Sequence, residues 1–164
     1  ELRQKGVHFN ATIVGDGVER GRLLSMAHEL NLSENIDFSG YLDPESLKEA
    51  YDRSHVFALF CTYGPDGDTD GIPVAMVEAM SRGLPVVTTR LSALPELVEH
   101  DKSGYLVEPG NTGEFAEALK KLIENPERRR LLGKEAREKV ERGFTLDEQA
   151  RRMAGLFRNV PDIG

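Results

Sequence analysis

Residues 55–88 contain three apolar segments that decide the fold: HVFALFC (55–61), PVAMVEAMSR (73–82) and LPVVT (84–88). The first and third are short apolar runs, which are typical of parallel strands buried on both faces. The middle segment is predicted to be a helix with Pro73 in its first turn and Gly83 directly after its end. These residues therefore predict a strand, a helix and a second strand of one parallel sheet.

The same alternation continues on both sides of this segment. Predicted strands cover residues 7–14, 36–41 and 105–107, and predicted helices cover residues 18–32, 43–53 and 94–99. Helical sequence continues from about residue 112, with breaks near Pro126 and Gly143. Asp43 is the predicted N-cap of its helix. The pattern predicts an α/β fold with a doubly wound parallel sheet, in a single domain covering residues 1–164.

Composition excludes several classes of protein. Hydrophobic residues make up 39% of the chain and charged residues 30%, a balance typical of globular proteins. The net charge of -7 argues against a nucleic-acid partner. Cys61 is the only cysteine, which excludes an internal disulfide and fits a reducing compartment. No apolar run approaches the ~18 residues of a membrane span. The chain lacks an initiator Met, and we expect it to be part of a longer protein.

The loop between HVFALFC and the next helix is the predicted ligand site. Ligands of doubly wound sheets bind outside the carboxyl ends of the strands, and residues 62–75 follow such an end. The amides of Val74 and Ala75 open the helix without intrahelical acceptors, and together with the positive helix end they suit a phosphate. Gly71 would let the backbone approach a ligand closely.

Two carboxylates accompany this helix start. Glu78 lies in a helix that is apolar on almost all sides, so we expect it to be buried and to need a polar partner or a ligand. That partner could equally be a backbone N–H or a buried Arg. Asp70 could bind hydroxyl groups or simply cap the helix. Together, carboxylates for hydroxyls and a helix end for phosphate suit a sugar nucleotide.

The donor-site signature of retaining GT-B glycosyltransferases of family GT4 closely resembles residues 70–89, DGIPVAMVEAMSRGLPVVTT. The resemblance extends to LPELV (94–98) and GYLVEPG (104–110), and upstream to VGDG (14–17) and FSGY (38–41). It implies a Rossmann-like fold that forms the carboxy-terminal, donor-binding half of a two-domain GT-B architecture.

The resemblance implies a role for each matching position. It gives donor-sugar contacts to Asp70, Gly71 and Ile72, diphosphate contacts to the amides of Ile72, Val74 and Ala75, the ribose contact to Glu78, and base contacts to Tyr41, Leu42 and Asp43. It implies no metal and no cofactor, since the substrate is a UDP-, GDP- or ADP-sugar. No residue of this chain receives a catalytic role.

Two departures from the family pattern matter. The first acidic residue is Asp70, where the family usually has Glu, so its reach to the donor sugar is in question. The Arg and Lys that clamp the diphosphate in the family lie upstream, and the chain starts beyond them and beyond the first strand and helix of the domain. The amino-terminal domain, which binds the acceptor, is expected to be the missing partner.

The resemblance implies that the full-length protein transfers a hexosyl group with retention, without a metal, in polysaccharide biosynthesis, and that this fragment alone is inactive. It implies a cytoplasmic location; peripheral association with the inner membrane is common in the family. The first alternative is a non-catalytic module that binds nucleotides or nucleotide sugars, and a weaker one is a GT-B epimerase.

A calcium loop is a competing interpretation of the same residues. DGDTDG (66–71) copies the first half of an EF-hand loop. Position twelve of that loop should be a bidentate Glu. Val77 occupies it, and Glu78 comes one residue late, so we expect no metal site here.

Overall fold

The computed structural model describes residues 1–64, 67, 69 and 71–158. Its elements are, in chain order, β1 (Ala11–Val14), α1 (Arg20–Glu29), β2 (Ile36–Gly40), α2 (Pro44–Arg53), β3 (Phe57–Leu59), α3 (Val74–Ser81), β4 (Val86–Thr89), α4 (Leu94–Leu97), β5 (Gly104–Val107), α5 (Thr112–Glu124), α6 (Pro126–Gly143) and α7 (Leu146–Arg158). Contacts divide the chain into two compact units, Glu1–Ser54 and His55–Gly164. The single domain expected for residues 1–164 stays a prediction.

The first unit contains a parallel pair of strands. β1 pairs with β2 in parallel, with Ala11 opposite Ile36, and a register shift follows Ile13. α1 connects the two strands and α2 follows them. The strand predicted over residues 7–14 begins only at Ala11. α2 begins as predicted, because the Asp43 carboxylate accepts hydrogen bonds from the backbone N–H groups of the first turn.

The second unit contains a three-stranded parallel sheet in the order β3-β4-β5. Side chains alternate between its faces, as the pleat requires. Val86 and Leu106 pack on one face with residues of α3, α4 and α6. Val87 and Tyr105 pack on the other face with residues of α5. Helices on both faces of parallel strands confirm the predicted doubly wound arrangement.

β3 is less buried than the sequence predicted. The run HVFALFC predicted a strand covered on both faces, but Phe57 and Leu59 are half-buried and Ala58 is exposed. β4 and β5 are fully buried. β3 and β5 are both edge strands, so the difference follows from helix cover: α5 and α6 both pack on β5, whereas α3 is the main helix that packs on β3.

The carboxyl end of α3 is closed by protein. Gly83 has a φ of 77°, its N–H donates to the Met80 carbonyl at 2.9 Å, and the Leu84 N–H donates to the Ala79 carbonyl at 3.1 Å. These two bonds form a Schellman motif, which confirms Gly83 as the predicted stop. α6 packs closely here: a Cβ on Gly133 would lie 2.0 Å from the Gly83 carbonyl oxygen.

Three helices follow β5, with breaks where the sequence predicted them. Asn125 caps α6, since its side chain accepts a hydrogen bond from the Arg128 N–H. Thr145 accepts in the same way from the Glu148 N–H ahead of α7. None of the helices in the described part of the chain has the length and apolar character that crossing a bilayer requires.

Candidate functional site

The carboxyl ends of β3, β4 and β5 lie at one edge of the second unit's sheet, because the three strands are parallel. At this edge the Thr89 hydroxyl donates a 2.8 Å hydrogen bond to the Cys61 carbonyl, which joins the end of β4 to the loop that follows β3. Leu91 packs in the same apolar cluster as Ile72 and Met76. The loops after β3 and β4 therefore meet the first turn of α3, where the sequence predicted the ligand site.

The first turn of α3 faces outward. Pro73 is the N-cap, with φ -64° and ψ 129°, rather than a residue of the first turn as predicted. Its carbonyl accepts from the Met76 N–H at 3.0 Å. Val74 is 71% exposed, and Ala75 is also exposed. A proline side chain offers no acceptor for a cap, so the positive end of the helix is presented to whatever lies at this edge. Such an arrangement can bind an anion.

Glu78 is exposed, and the prediction that it is buried is wrong. α3 covers the sheet and α6, and its buried residues are Met76, Ala79 and Met80. The opposite face, which includes Val74 and Glu78, stays open although the helix is apolar. Composition misled the prediction because only one face packs against protein. Val74 and Glu78 are four residues apart, so they share this open face.

The residues just before α3 divide into two groups. Ile72 is half-buried against the cluster beneath α3, so its backbone rather than its side chain is the part presented at the edge. Gly71 is exposed, and among the described atoms nothing beyond its chain neighbours lies within 4 Å of a Cβ added there. No described side chain therefore occupies the space beside the Gly71 backbone, and the role of Gly71 in ligand binding stays a prediction.

Asp70 lies outside the described residues, and so do Asp66 and Asp68. Its donor-sugar contact therefore stays a prediction. No group of three His, Cys, Asp or Glu side chains in the described part of the chain could hold a metal ion. Because the three aspartates are not among those residues, the expectation of a metal-free site also stays a prediction.

The residues assigned to the base lie in the first unit, directly after β2. Tyr41 is 81% exposed, and Leu42 is half-buried. The Asp43 carboxylate accepts from the hydroxyl and N–H of Ser46 and from the Glu45 N–H. These hydrogen bonds, the Ser46 hydroxyl first, lower the pKa of Asp43. Its carboxylate is thus engaged in starting α2, and the base contacts of all three residues stay predictions.

Two features of this edge were not predicted. Arg90 directly follows β4, and Glu108 directly follows β5. The Arg90 Nε lies 3.4 Å from Glu108 Oε1. Thr88, the third residue of β4, is fully buried, and its hydroxyl has no hydrogen-bond partner in the described structure. The available signal was position alone: polar residues directly at the end of a predicted parallel strand lie at the ligand edge.

The start of α5 lies at the same edge but is closed by protein. The Asn111 side chain accepts from the Glu114 N–H at 3.0 Å. Glu114 in turn accepts from the Glu108 N–H at 3.1 Å and from the Asn111 side chain at 3.3 Å. These bonds satisfy the helix start internally. α3 is therefore the better candidate for ligand binding at this edge.

Comparison with known proteins bears on the whole chain. The family model described as Glycosyl transferases group 1 matches residues 1–139. WcaL of Escherichia coli K12, named as a colanic acid biosynthesis glycosyltransferase, is 36% identical over 159 residues, which are 96% of this chain and 39% of WcaL. A Mycobacterium tuberculosis protein named GDP-mannose-dependent alpha-(1-6)-phosphatidylinositol monomannoside mannosyltransferase is 29% identical over 147 residues, which are 89% of this chain and 38% of that protein. The chain thus spans well under half the length of these relatives.

The fold matches solved structures as well. The crystal structure of Anabaena HepE in complex with UDP-glucose superposes with a TM-score of 0.76 at 24% identity, over 92% of this chain and 41% of HepE. This likeness shows the fold, which confirms the expected Rossmann-like half of a GT-B architecture. The match over residues 1–139 and the identity to WcaL establish that the chain belongs to the glycosyl transferases group 1 family.

Proposed function

We propose that this chain is the donor-binding half of a retaining glycosyltransferase, which transfers a hexosyl group from a nucleoside diphosphate sugar. The observation that carries the proposal is the open start of α3 at the carboxyl edge of the sheet, with Glu78 exposed one turn further along the same helix face. Family membership supplies the reaction class.

The open face of α3 matches the parts of a nucleoside diphosphate. The amides of Ile72, Val74 and Ala75 bind the diphosphate at the positive helix end. Glu78 follows Val74 by four residues, about 6 Å along the helix axis, so its carboxylate accepts hydrogen bonds from the ribose hydroxyls. Gly71 and Ile72 border the donor sugar together with Asp70.

The chemistry proposed for this half is positioning and charge stabilisation. As the bond between sugar and diphosphate breaks, negative charge grows on the leaving phosphate, and the end of α3 stabilises that charge. In this account the helix end does the work that a metal ion does elsewhere, and no cofactor takes part. The chain's own residues orient the donor, and none of them is assigned a catalytic step.

The donor is a UDP-, GDP- or ADP-sugar. HepE was solved with UDP-glucose, and the mycobacterial relative is named for GDP-mannose, so the relatives support both bases. The acceptor is bound by a further domain, since the relatives are more than twice as long as the part this chain matches. We place the reaction in cytoplasmic polysaccharide synthesis, at the inner membrane surface where the acceptor is lipid-linked, by analogy with the name of WcaL.

Titration of the complete gene product with UDP, GDP and ADP in EDTA tests the proposal. At least one nucleotide is expected to bind without metal. Replacing one charged hydrogen-bond partner costs roughly tenfold or more in affinity, so Glu78→Gln should weaken the tightest nucleotide by that factor. Glu127→Gln, an exposed carboxylate in the first turn of α6, is the matched control and should bind normally. Undiminished binding by Glu78→Gln, or an absolute need for calcium or manganese, would contradict the proposal.

A non-catalytic nucleotide-binding module is the second candidate, because Asp70 stands where the family usually has Glu. Incubation of the complete gene product with radiolabelled UDP-glucose and GDP-mannose separates the two. An enzyme releases UDP or GDP as the sugar is transferred to an acceptor or to water. A module binds the sugar nucleotide and returns it intact.

A further inference from the structure

The loops at the carboxyl edge of the second sheet carry a single basic side chain. The described parts of these loops are residues 60–64, 67, 69 and 71–73 after β3, 90–93 after β4 and 108–111 after β5. Arg90 is the only Lys, Arg or His in them. Any anion that binds at this edge therefore meets one cationic residue from this unit's loops. The family resemblance assigned no role to it.

The chain links Arg90 to the apolar cluster that contains the first turn of α3. Its N–H donates to the Val107 carbonyl at 2.7 Å, so the hydrogen-bond ladder between β4 and β5 continues one residue beyond β4. The next residue, Leu91, is 4% exposed and lies in the apolar cluster that contains Ile72 and Met76. Arg90 is thus next in sequence to a residue of the cluster that includes Met76 in the first turn of α3.

The Arg90 side chain is held only weakly. Its Nε lies 3.4 Å from Glu108 Oε1, and the two side chains are 47% and 67% exposed. Exposed ion pairs of this kind contribute little, because both charges remain solvated and two long side chains must be ordered. The ion pair therefore holds the guanidinium near the carboxyl edge of the sheet but can be broken at little cost.

We propose that Arg90 leaves Glu108 and binds the diphosphate of the donor, opposite the amides of α3. The inference rests on the proposed function and adds a residue to its phosphate site. A diphosphate carries more charge than one carboxylate and offers several oxygens to the planar guanidinium fork. The leaving diphosphate gains charge during transfer, so Arg90 stabilises the departing group as well as the bound donor. Glu108 holds the side chain in position while the site is empty.

Nucleotide titration of variants of the complete gene product tests this role. Arg90→Ala is expected to weaken binding of the tightest of UDP, GDP and ADP by roughly tenfold to a hundredfold, the range for a charged hydrogen-bonding group. The loss should be smaller for the corresponding monophosphate and smaller still for the nucleoside. Arg90→Lys, which keeps the charge but loses the fork, should fall between Arg90→Ala and the unmodified protein. Arg137→Ala is the matched control, because Arg137 is an exposed arginine that is likewise ion-paired with a glutamate, Glu141 on α6.

Glu108→Gln separates a phosphate contact from a structural ion pair. If Arg90 serves the ligand, removing its resting partner frees the guanidinium, and the variant binds at least as tightly as the unmodified protein. If the ion pair merely shapes the loops, Glu108→Gln and Arg90→Ala weaken binding alike, and the inference is overturned. Thermal unfolding of both variants identifies any general loss of folding. If Arg90→Ala unfolds more easily than the unmodified protein, Arg90→Lys replaces it, and its nucleotide affinity is compared with that of Glu108→Gln in the same way.

The outcomes distinguish this inference from the proposed function. Nucleotide binding that depends on Glu78 but is the same within twofold in Arg90→Ala overturns the role of Arg90 and leaves the donor site standing. Absence of nucleotide binding by the unmodified protein overturns both. If Arg90→Ala loses the same affinity for the diphosphate, the monophosphate and the nucleoside, the phosphate contact is overturned, because the loss then does not depend on the number of phosphate groups.

Discussion

The two ends of α3 are built differently. At the carboxyl end, Gly83 closes the helix with two backbone hydrogen bonds, and Gly133 of α6 packs against its carbonyl. At the amino end, Pro73 supplies no side-chain cap, and Val74 is 71% exposed. The end closed by protein gains stability from its contacts. The exposed end lacks a side-chain cap from its own N-cap residue, and the positive end of the helix dipole lies at the sheet edge where a ligand is expected.

The start of α5, in contrast to that of α3, is capped by side chains of the protein. The Asn111 side chain accepts from the Glu114 N–H there, and the Glu114 carboxylate accepts from the Asn111 side-chain amide and the Glu108 N–H. We therefore expect variants at the capped helix ends to lower stability without changing nucleotide affinity. Variants at the start of α3 should lower nucleotide affinity without changing stability.

Gly133→Ala tests the closed end and should have the largest effect. Alanine favours a helix by about 1 kcal/mol over glycine. The new methyl would, however, sit 2.0 Å from the Gly83 carbonyl oxygen, so α6 must move away from α3. Overpacking of this kind costs about 1–3 kcal/mol or more, so we expect a net loss of stability in urea unfolding. Unchanged stability would show that the two helices are not in close contact.

Gly71→Ala is the counterpart at the open end. Its φ is not in the left-handed region and no described neighbour lies within 4 Å of the added carbon, so stability should change by less than about 0.5 kcal/mol. Nucleotide binding should fall, because the methyl occupies the side from which the ligand approaches. Loss of stability without loss of binding would reverse the assignment of the two ends.

Asn111→Ala removes the side-chain cap of α5. The loss of an N-cap costs about 1 kcal/mol, which urea unfolding would register. Nucleotide affinity should stay unchanged, since the start of α5 is already satisfied by protein. A drop in affinity as large as that of Glu78→Gln would mean that the ligand also uses this helix.

Thr88→Val tests whether the buried Thr88 hydroxyl contributes to the ligand site or only to stability. The buried Thr88 hydroxyl has no partner in the described structure. Its removal should therefore raise the free energy of unfolding, by up to about 1 kcal/mol. Differential scanning calorimetry would measure the gain. A fall in stability would show that the hydroxyl is satisfied, and a fall in nucleotide affinity would place it in the ligand site.

Acid should weaken the link between the α4–β5 connection and α6. Hydrogen bonds from Lys102 and then Lys139 lower the pKa of Glu99 to about 2 from an ordinary value of 4.5. A lowered pKa stabilises the fold fully above pH 4.5, and the contribution disappears as the pH falls through 2. Because Glu99 is 39% exposed, the gain is at most about 1 kcal/mol. The stability difference between the unmodified protein and Glu99→Gln should shrink over this interval, and a constant difference would contradict the pairing.

Local signals in the sequence predicted most of the fold. Gly83 marked the end of α3, Asp43 marked the start of α2, and the breaks near Pro126 and Gly143 separated the last three helices, because each depends on backbone conformation or capping close by in the chain. The apolar run from His55 to Cys61 predicted a strand correctly but overestimated its burial. Burial depends on which helices cover a strand, and those contacts are long-range.

The candidate site was predicted in place but not in detail. The loop before α3 followed from the rule that ligands bind at the carboxyl ends of parallel strands. The burial of Glu78 was wrong, because an apolar helix sequence does not reveal which face meets protein. Arg90 was missed, because its pairing with Glu108 joins residues that follow two different strands.

Amide hydrogen exchange at the start of α3 tests the central claim most directly. In the complete gene product, saturating UDP, GDP or ADP should slow exchange at Ile72, Val74 and Ala75 markedly, whereas the amide of Glu114 at the start of α5 should exchange as before. That contrast would show the nucleotide on the open helix end. Equal protection at both helix starts, or none at α3 while the nucleotide is bound, would contradict the account.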